Sequence, residues 1–193
     1  MARPHLTKLA GGGDKRVACE RSRSPVSPRA MRKPTATHEI DCDPKTFWSV
    51  FWDDDEFTRK FYLEGLEFKE CEILERTETL RRIRLVPKLN LPKPVVKVLG
   101  DKFGYEDYAT LDREKNELRW KMKPNTLADK LTMEGVIRIE AAGDGKCIRR
   151  DEVSIEAKIF GVGKLVESST EDEVRSAWDK ESAFINRYLK QRG

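Results

Sequence analysis

At 193 residues, with 37% of side chains charged, the chain has room for one ordinary domain and a tail. The formal charge of +4 is unevenly spread, because residues 1–37 hold nine Lys and Arg against Asp14 and Glu20, leaving the remainder slightly acidic. That balance excludes a nucleic-acid-binding stripe from the globular part, and no apolar run reaches the roughly 18–20 residues of a membrane span.

Residues 1–37, with Gly11-Gly-Gly13 and the run RSRSPVSPR, lack hydrophobic periodicity and read as a basic disordered tail. Two alternatives stand beside this. One is a plastid or mitochondrial transit segment, against which Asp14 and Glu20 count; the other is an effective start at Met31. Without a secretory signal, the expected compartment is the cytoplasm. Cys19, Cys42, Cys71 and Cys147 show no C-x-x-C or zinc spacing. Three of them fall in or beside apolar strand-like segments, as free buried thiols do in a reducing compartment.

The ordered pattern is expected over 38–193. HEIDC, from His38, reads as a short strand, and Asp43-Pro44 supplies a helix cap with Pro in the first turn. KTFWSVFW is then a short helix, apolar on most sides through Phe47, Trp48, Val50, Phe51 and Trp52. DDDEF starts a second helix, its acids near the positive helix end. Strands follow at about 66–76, 78–86, 103–111, 117–123, 131–141 and 147–158, bounded by turn signals such as Asp112–Asn116 and Gly143-Asp-Gly145. Leu118, Trp120 and Met122 share one face, with Arg119, Lys121 and Lys123 on the other. Leu131, Met133, Gly135, Ile137 and Ile139 likewise oppose Thr132, Glu134, Arg138 and Glu140. This is the alternation of an antiparallel sheet with one covered and one wet face. Residues 163–191 close the chain as a long amphipathic helix carrying Val174, Ala177, Trp178, Phe184, Ile185, Tyr188 and Leu189.

Several stretches invite a chemical reading. Gly161-Val-Gly163-Lys164 looks like a phosphate loop, but Leu165 follows the Lys and no Gly stands five residues before Gly163. Its glycines are better placed to turn a strand sharply into a helix. His5 and His38 cannot assemble a metal pair or triad, and Asp53-Asp54-Asp55-Glu56 lacks the spacing of a magnesium motif, reading as a solvated helix start. No metal or cofactor is expected. Arg149 and Asp151 have the parity of Val153, Ile155 and Ala157, so they form either an inward pair that meets a ligand head group or a strand end twisted into solvent.

Residues 87–105 mix Leu89, Leu91, Val95, Val96, Val98 and Leu99 with Lys88, Lys93, Lys97 and Lys102, broken by Pro87, Pro92 and Pro94. Such a segment is either a lid helix that packs down and keeps its lysines wet, or a transient contact with an anionic membrane, through Leu91, Lys93, Val95, Val96, Lys97 and Leu99.

Strand, two short helices, about six further strands and one long helix: this order resembles the helix-grip fold of the START-like superfamily (SRPBCC, or polyketide-cyclase-like). HEIDCDPKTFWSVFWDDDEF, RTETLRRIRLVPKLNLPKPVVKVLG and GDGKCIRRDEVSIEAKIFGVGKLVESS resemble an uncharacterised bacterial-type branch of it. The resemblance covers about 38–191 and implies an α+β fold, a curved antiparallel sheet of six or seven strands wrapped on the last helix. It further implies a monomer that binds, or transfers, a lipid or other hydrophobic small molecule in an internal cavity. The expected wall is Ile83, Leu85, Tyr105, Trp120, Met122, Met133, Ile137, Val153 and Ile155, with Arg149 and Asp151 near one end, closed by Phe184 and Tyr188. Gly135, in mid-strand, leaves room there. The competing readings are a cyclase or hydrolase drawing on Arg149, Asp151 and Tyr105, and a filled core serving as an interaction module.

Overall fold

The alternating segments zip into one sheet. The computed structural model describes residues 31–192, so the tail readings, His5 and Cys19 lie outside the described residues as far as Ala30. The strands are β1 (Thr35–Ile40), β2 (Glu70–Arg76), β3 (Leu80–Val86), β4 (Tyr105–Asp112), β5 (Glu117–Pro124), β6 (Leu131–Gly143) and β7 (Lys146–Ala157). They are antiparallel throughout, in the order β1-β7-β6-β5-β4-β3-β2. β2 to β7 lie side by side in chain order, with α3 in the connection from β3 to β4, and β1 crosses over to pair with β7.

β1 begins three residues before the expected start. Thr35, Ala36 and Thr37 pair with Glu152, Asp151 and Arg150, and Arg32 exchanges backbone hydrogen bonds with Ile155. Ala36 extends the inward parity of His38 and Ile40, packing beside Val153, Ile155 and Trp178, so the strand has apolar contact to gain by starting early.

Because β1 and β2 lie at opposite edges, the chain between them must cross a sheet roughly 29 Å wide at about 4.8 Å per strand. α1 (Pro44–Phe51), α2 (Asp55–Lys60) and a π-helical turn (Phe61–Gly65) make that crossing. Asp43 caps α1 by accepting from the Lys45 and Thr46 N–H groups at 2.9 and 3.1 Å. The apolar faces of α1 bury Phe47, Trp48, Val50 and Phe51, with Trp52 just beyond. The indoles of Trp48 and Trp52 donate to Asn116 Oδ1 and to the Thr77 carbonyl, so neither buried N–H is left unmet. The acidic run disperses among separate partners: Asp53 to Arg113, Asp54 as the α2 cap, Asp55 to Arg76 and Glu56 to Lys60.

α3 (Lys93–Leu99) lies in the Pro-rich excursion and packs Val95 and Leu99 against Phe103, Met122, Leu131 and Val166. Lys93 and Lys97 are about 200° round the helix from those residues and stay exposed. The last strand turns at Gly161, whose φ of 78° suits glycine, and α4 (Gly163–Arg192) begins two residues later. The Gly163 N–H donates to the Ile159 carbonyl and Lys164 points to solvent, so the loop works as a joint. At about 1.5 Å per residue α4 is roughly 45 Å long, enough to lie across the whole sheet. The result is the α+β helix-grip arrangement. Cys42 and Cys147 are buried free thiols and Cys71 is half-buried. Among the described residues no helix is long and apolar enough to cross a membrane.

Candidate ligand-binding site

Two different fillings occupy the space between sheet and α4. Under its C-terminal half, Phe184 and Tyr188 join Phe57 and Phe61 in a packed aromatic core, with ring centroids 4.9–6.3 Å apart. Under its N-terminal half the side chains do not meet, and a cavity of about 270 Å³ remains.

Leu85, Tyr105, Trp120, Met122 and Met133 line the chamber, as do Ile137, Val153, Arg149 and Asp151. Four expected residues do not. Ile83 is sealed off completely, Ile155 is covered with Val153 and Trp178, and Phe184 and Tyr188 belong to the aromatic core that closes one end. Of the lid segment, Leu91 and Leu99 face the chamber. Val95 is buried behind it, while Lys93, Val96 and Lys97 do not reach it. The mouth lies between Pro87–Leu91 and the Glu173–Lys180 stretch of α4, where Lys88, Asn90, Glu173 and Lys180 are exposed.

Gly135 does not leave open space. It pairs directly with Trp120, and a Cβ there would fall 2.7 Å from the indole Cε2 and 2.7 Å from the Glu152 carbonyl oxygen. The missing side chain admits the tryptophan ring, which then forms chamber wall.

The parity of β7 does turn Arg149 and Asp151 inward, each with a side chain only 2% exposed. Arg149 Nη2 donates to Asp151 Oδ1 at 2.7 Å and to Glu181 Oε2 at 2.5 Å, so the last helix supplies the second carboxylate. Burial opposes charge on Arg149, but Asp151 and Glu181 outweigh it and hold the guanidinium firmly protonated. Glu181 is raised by burial and by Asp151, against the pull of Arg149. Arg149 Nη1 and Asp151 Oδ2 are buried without a hydrogen-bond partner among the described residues.

Two further charged residues line the chamber that the strand reading passed over. Arg81 and Asp107 are 3% and 8% exposed. Arg81 donates to the Phe51 carbonyl at 2.7 Å and lies over Trp52, 4.7 Å from the ring centroid. Asp107 makes no hydrogen bond or ion pair with any described residue, and burial pushes its carboxyl up to about 6, with Arg81 acting in the opposite sense. Tyr62 and Tyr105 also line this end, both phenols raised first by burial and next by Asp107. The signal was available: Arg81 shares the parity of Ile83 and Leu85, Asp107 that of Tyr105, and Glu181 is three residues from Trp178. A mostly apolar chamber with a few converging polar groups can hold a small amphipathic molecule and exchange a proton with it.

Comparison with known proteins places this architecture. The norcoclaurine synthase of Thalictrum flavum, in complex with dopamine and hydroxybenzaldehyde, superposes with a TM-score of 0.58 at 15% identity over 97% of this chain and 99% of that one. The Zhui aromatase/cyclase of Streptomyces sp. R1128 gives 0.57 at 16% identity, covering 84% and 93%. A START superfamily protein from Mycobacterium smegmatis gives 0.51 at 14% identity, covering 80% and 98%. At such identities the likeness is one of fold, and the fold is START-like. No curated protein matches the chain. A family model described as "Protein of unknown function (DUF2505)" matches residues 35–189, from the first strand to the end of the last helix, and the chain belongs to that family.

Proposed function

We propose that this protein binds a small amphipathic molecule in the chamber beneath the first half of α4. The observation that carries the reading is the cavity of about 270 Å³, walled by Trp120, Met122 and Leu131 yet lined by Asp107 and the phenols of Tyr62 and Tyr105, which make no hydrogen bond to any described residue. A filled core would leave neither the space nor the orphaned polar groups. The size lies just below the ~300–1,000 Å³ usual for ligand sites, which favours one ring system or a single acyl chain over a two-chain lipid. The like-folded aromatase/cyclase and norcoclaurine synthase support the use of such a chamber by analogy of fold.

The test is fluorescence titration with the neutral dye N-phenyl-1-naphthylamine, alongside native mass spectrometry of residues 31–193 purified under mild conditions. Saturable dye binding, abolished by filling the chamber with Val153→Trp in a folded variant, is expected. Absence of dye binding and of any recurrent co-purifying molecule overturns the reading. Asp107, held near 6 beside Tyr105, favours a second reading in which the bound molecule also undergoes proton transfer. Its mark would be conversion of the recovered molecule over time, lost in Asp107→Asn.

A further inference from the structure

The charges around the inner end of the chamber do not balance. Arg81 reaches in from β3, Asp107 from β4, Arg149 and Asp151 from β7, and Glu181 from α4. That is three carboxyl groups against two guanidiniums. Arg149 is engaged by Asp151 and Glu181, and Arg81 is turned to the Phe51 carbonyl and the Trp52 ring. Neither arginine reaches Asp107. The remaining titratable neighbours carry no cation: Tyr62 and Tyr105 are neutral phenols, and Cys71 on β2 is a neutral thiol, burial pushing it up to about 11. Asp107 is therefore a carboxyl group more than nine-tenths buried, facing the cavity, with no ion-pair partner among the described residues, Arg81 acting on it only from a distance.

Aromatic rings surround the same end. Tyr62 and Phe68 lie 5.5 Å apart between centroids, Phe68 and Tyr105 6.5 Å, and Tyr105 and Phe103 6.3 Å, and all four line the chamber. A carboxylate without an ion-pair partner, in a chamber end lined by aromatic rings, is complementary to an ammonium: the carboxylate accepts its N–H groups and the ring quadrupoles attract its charge. The rest of the wall is apolar and suits a hydrocarbon or aryl body.

Resting on the reading of the chamber as a ligand site, we propose that its occupant is an amine with an apolar body, the ammonium held by Asp107 between the rings of Tyr62 and Tyr105. The pH dependence follows. An ammonium requires ionised Asp107, so amine affinity rises as pH increases through about 6 and levels off above it. A neutral acceptor that takes a hydrogen bond from protonated Asp107 would follow the opposite course.

The experiment is displacement of N-phenyl-1-naphthylamine by three molecules sharing one body, octylamine, octanol and octanoate, at pH 5 and pH 8. Octylamine stays protonated across this range, as an alkyl ammonium with a pKa near ~10.4 does. At pH 8 octylamine should bind at least about 10-fold more tightly than octanol, as a charge-assisted hydrogen bond implies. That advantage should shrink about 10-fold at pH 5, where roughly a tenth of a group titrating near 6 is ionised. Asp107→Asn should bring the amine down to the level of the alcohol, and Tyr105→Leu, which removes a ring and no charge, should narrow the gap as well. The proposal is overturned if octanol or octanoate matches the amine at pH 8, or if the amine keeps its advantage in Asp107→Asn. If the dye binds but the three do not differ, only the head-group assignment falls. If neither dye nor any of the three binds, the chamber reading itself falls and the amine with it.

Discussion

Replacing Asp107 with Asn removes a charge and almost no volume, and its effect on folding has a sign set by pH. Burial raises the folded-state carboxyl from the ordinary 3.8 to about 6. A carboxyl raised in the folded state is easier to ionise in the unfolded chain, so ionisation disfavours folding. Below about pH 4 the group is protonated in both states and costs nothing. Between about 4 and 6 the cost grows, and above about 6 it is complete. At ~1.4 kcal/mol per pH unit the interval corresponds to about 3 kcal/mol, an upper figure for a side chain that is 8% exposed. Asn never bears this cost. Urea unfolding of wild type and Asp107→Asn at pH 4.5, 5.5, 6.5 and 7.5 should show the variant's advantage growing from at most about 1 kcal/mol at pH 4.5 to about 2–3 kcal/mol at pH 7.5. Taking the difference at each pH cancels every other titrating group common to both proteins. A difference independent of pH, or a variant less stable at pH 7.5, would show that Asp107 has a counter-ion or ready access to water in solution. It would also remove the basis for an ammonium partner.

Gly135→Ala should destabilise by about 1–3 kcal/mol, because the added Cβ meets Trp120 on one side and the Glu152 carbonyl on the other. The displaced indole should also weaken dye binding, so an unchanged thermal midpoint and unchanged dye affinity would contradict the packing described. Arg149→Met leaves Asp151 buried without its cation and should lower stability by about 3–5 kcal/mol in urea unfolding; adding Asp151→Leu should restore most of that loss. Asp54→Ala removes the α2 cap to Phe57 N–H together with contacts to Tyr188 and Arg192, costing about 1–2 kcal/mol at neutral pH. Burial works to raise the Asp54 carboxyl, but the Phe57 N–H, Arg192 and Tyr188 hold it below its ordinary value. Its contribution is therefore complete above the ordinary carboxylate range and lost as pH falls through the folded-state value, and melts of the two proteins should converge in acid.

Which face each strand residue occupies was legible in the sequence, because a strand alternates with period two whatever it packs against. That periodicity alone turned Trp120, Met133, Val153, Arg149 and Asp151 inward, and it held Arg81 and Asp107 inward too, though an apolar-first reading passed over them. The glycine joint at 161–163 and the order of elements likewise followed from local chemistry, and with them the helix-grip fold. What the alternation could not supply was position along the face. Phe184 and Tyr188 read as the closure of a cavity, yet only the landing of α4 on the edge-crossing helices makes them part of a filled aromatic core. Gly135 read as empty space until the strand register set Trp120 across it. The charges depended most on tertiary structure. Arg81 and Asp107 face the same chamber, but the carbonyl of Phe51 and the ring of Trp52, thirty residues away in the chain, draw the guanidinium to themselves. Side-chain direction is decided by neighbouring peptide units, whereas pairing is decided by whichever groups folding brings within a few ångströms, and that is why the carboxyl group without a partner became visible only in the folded protein.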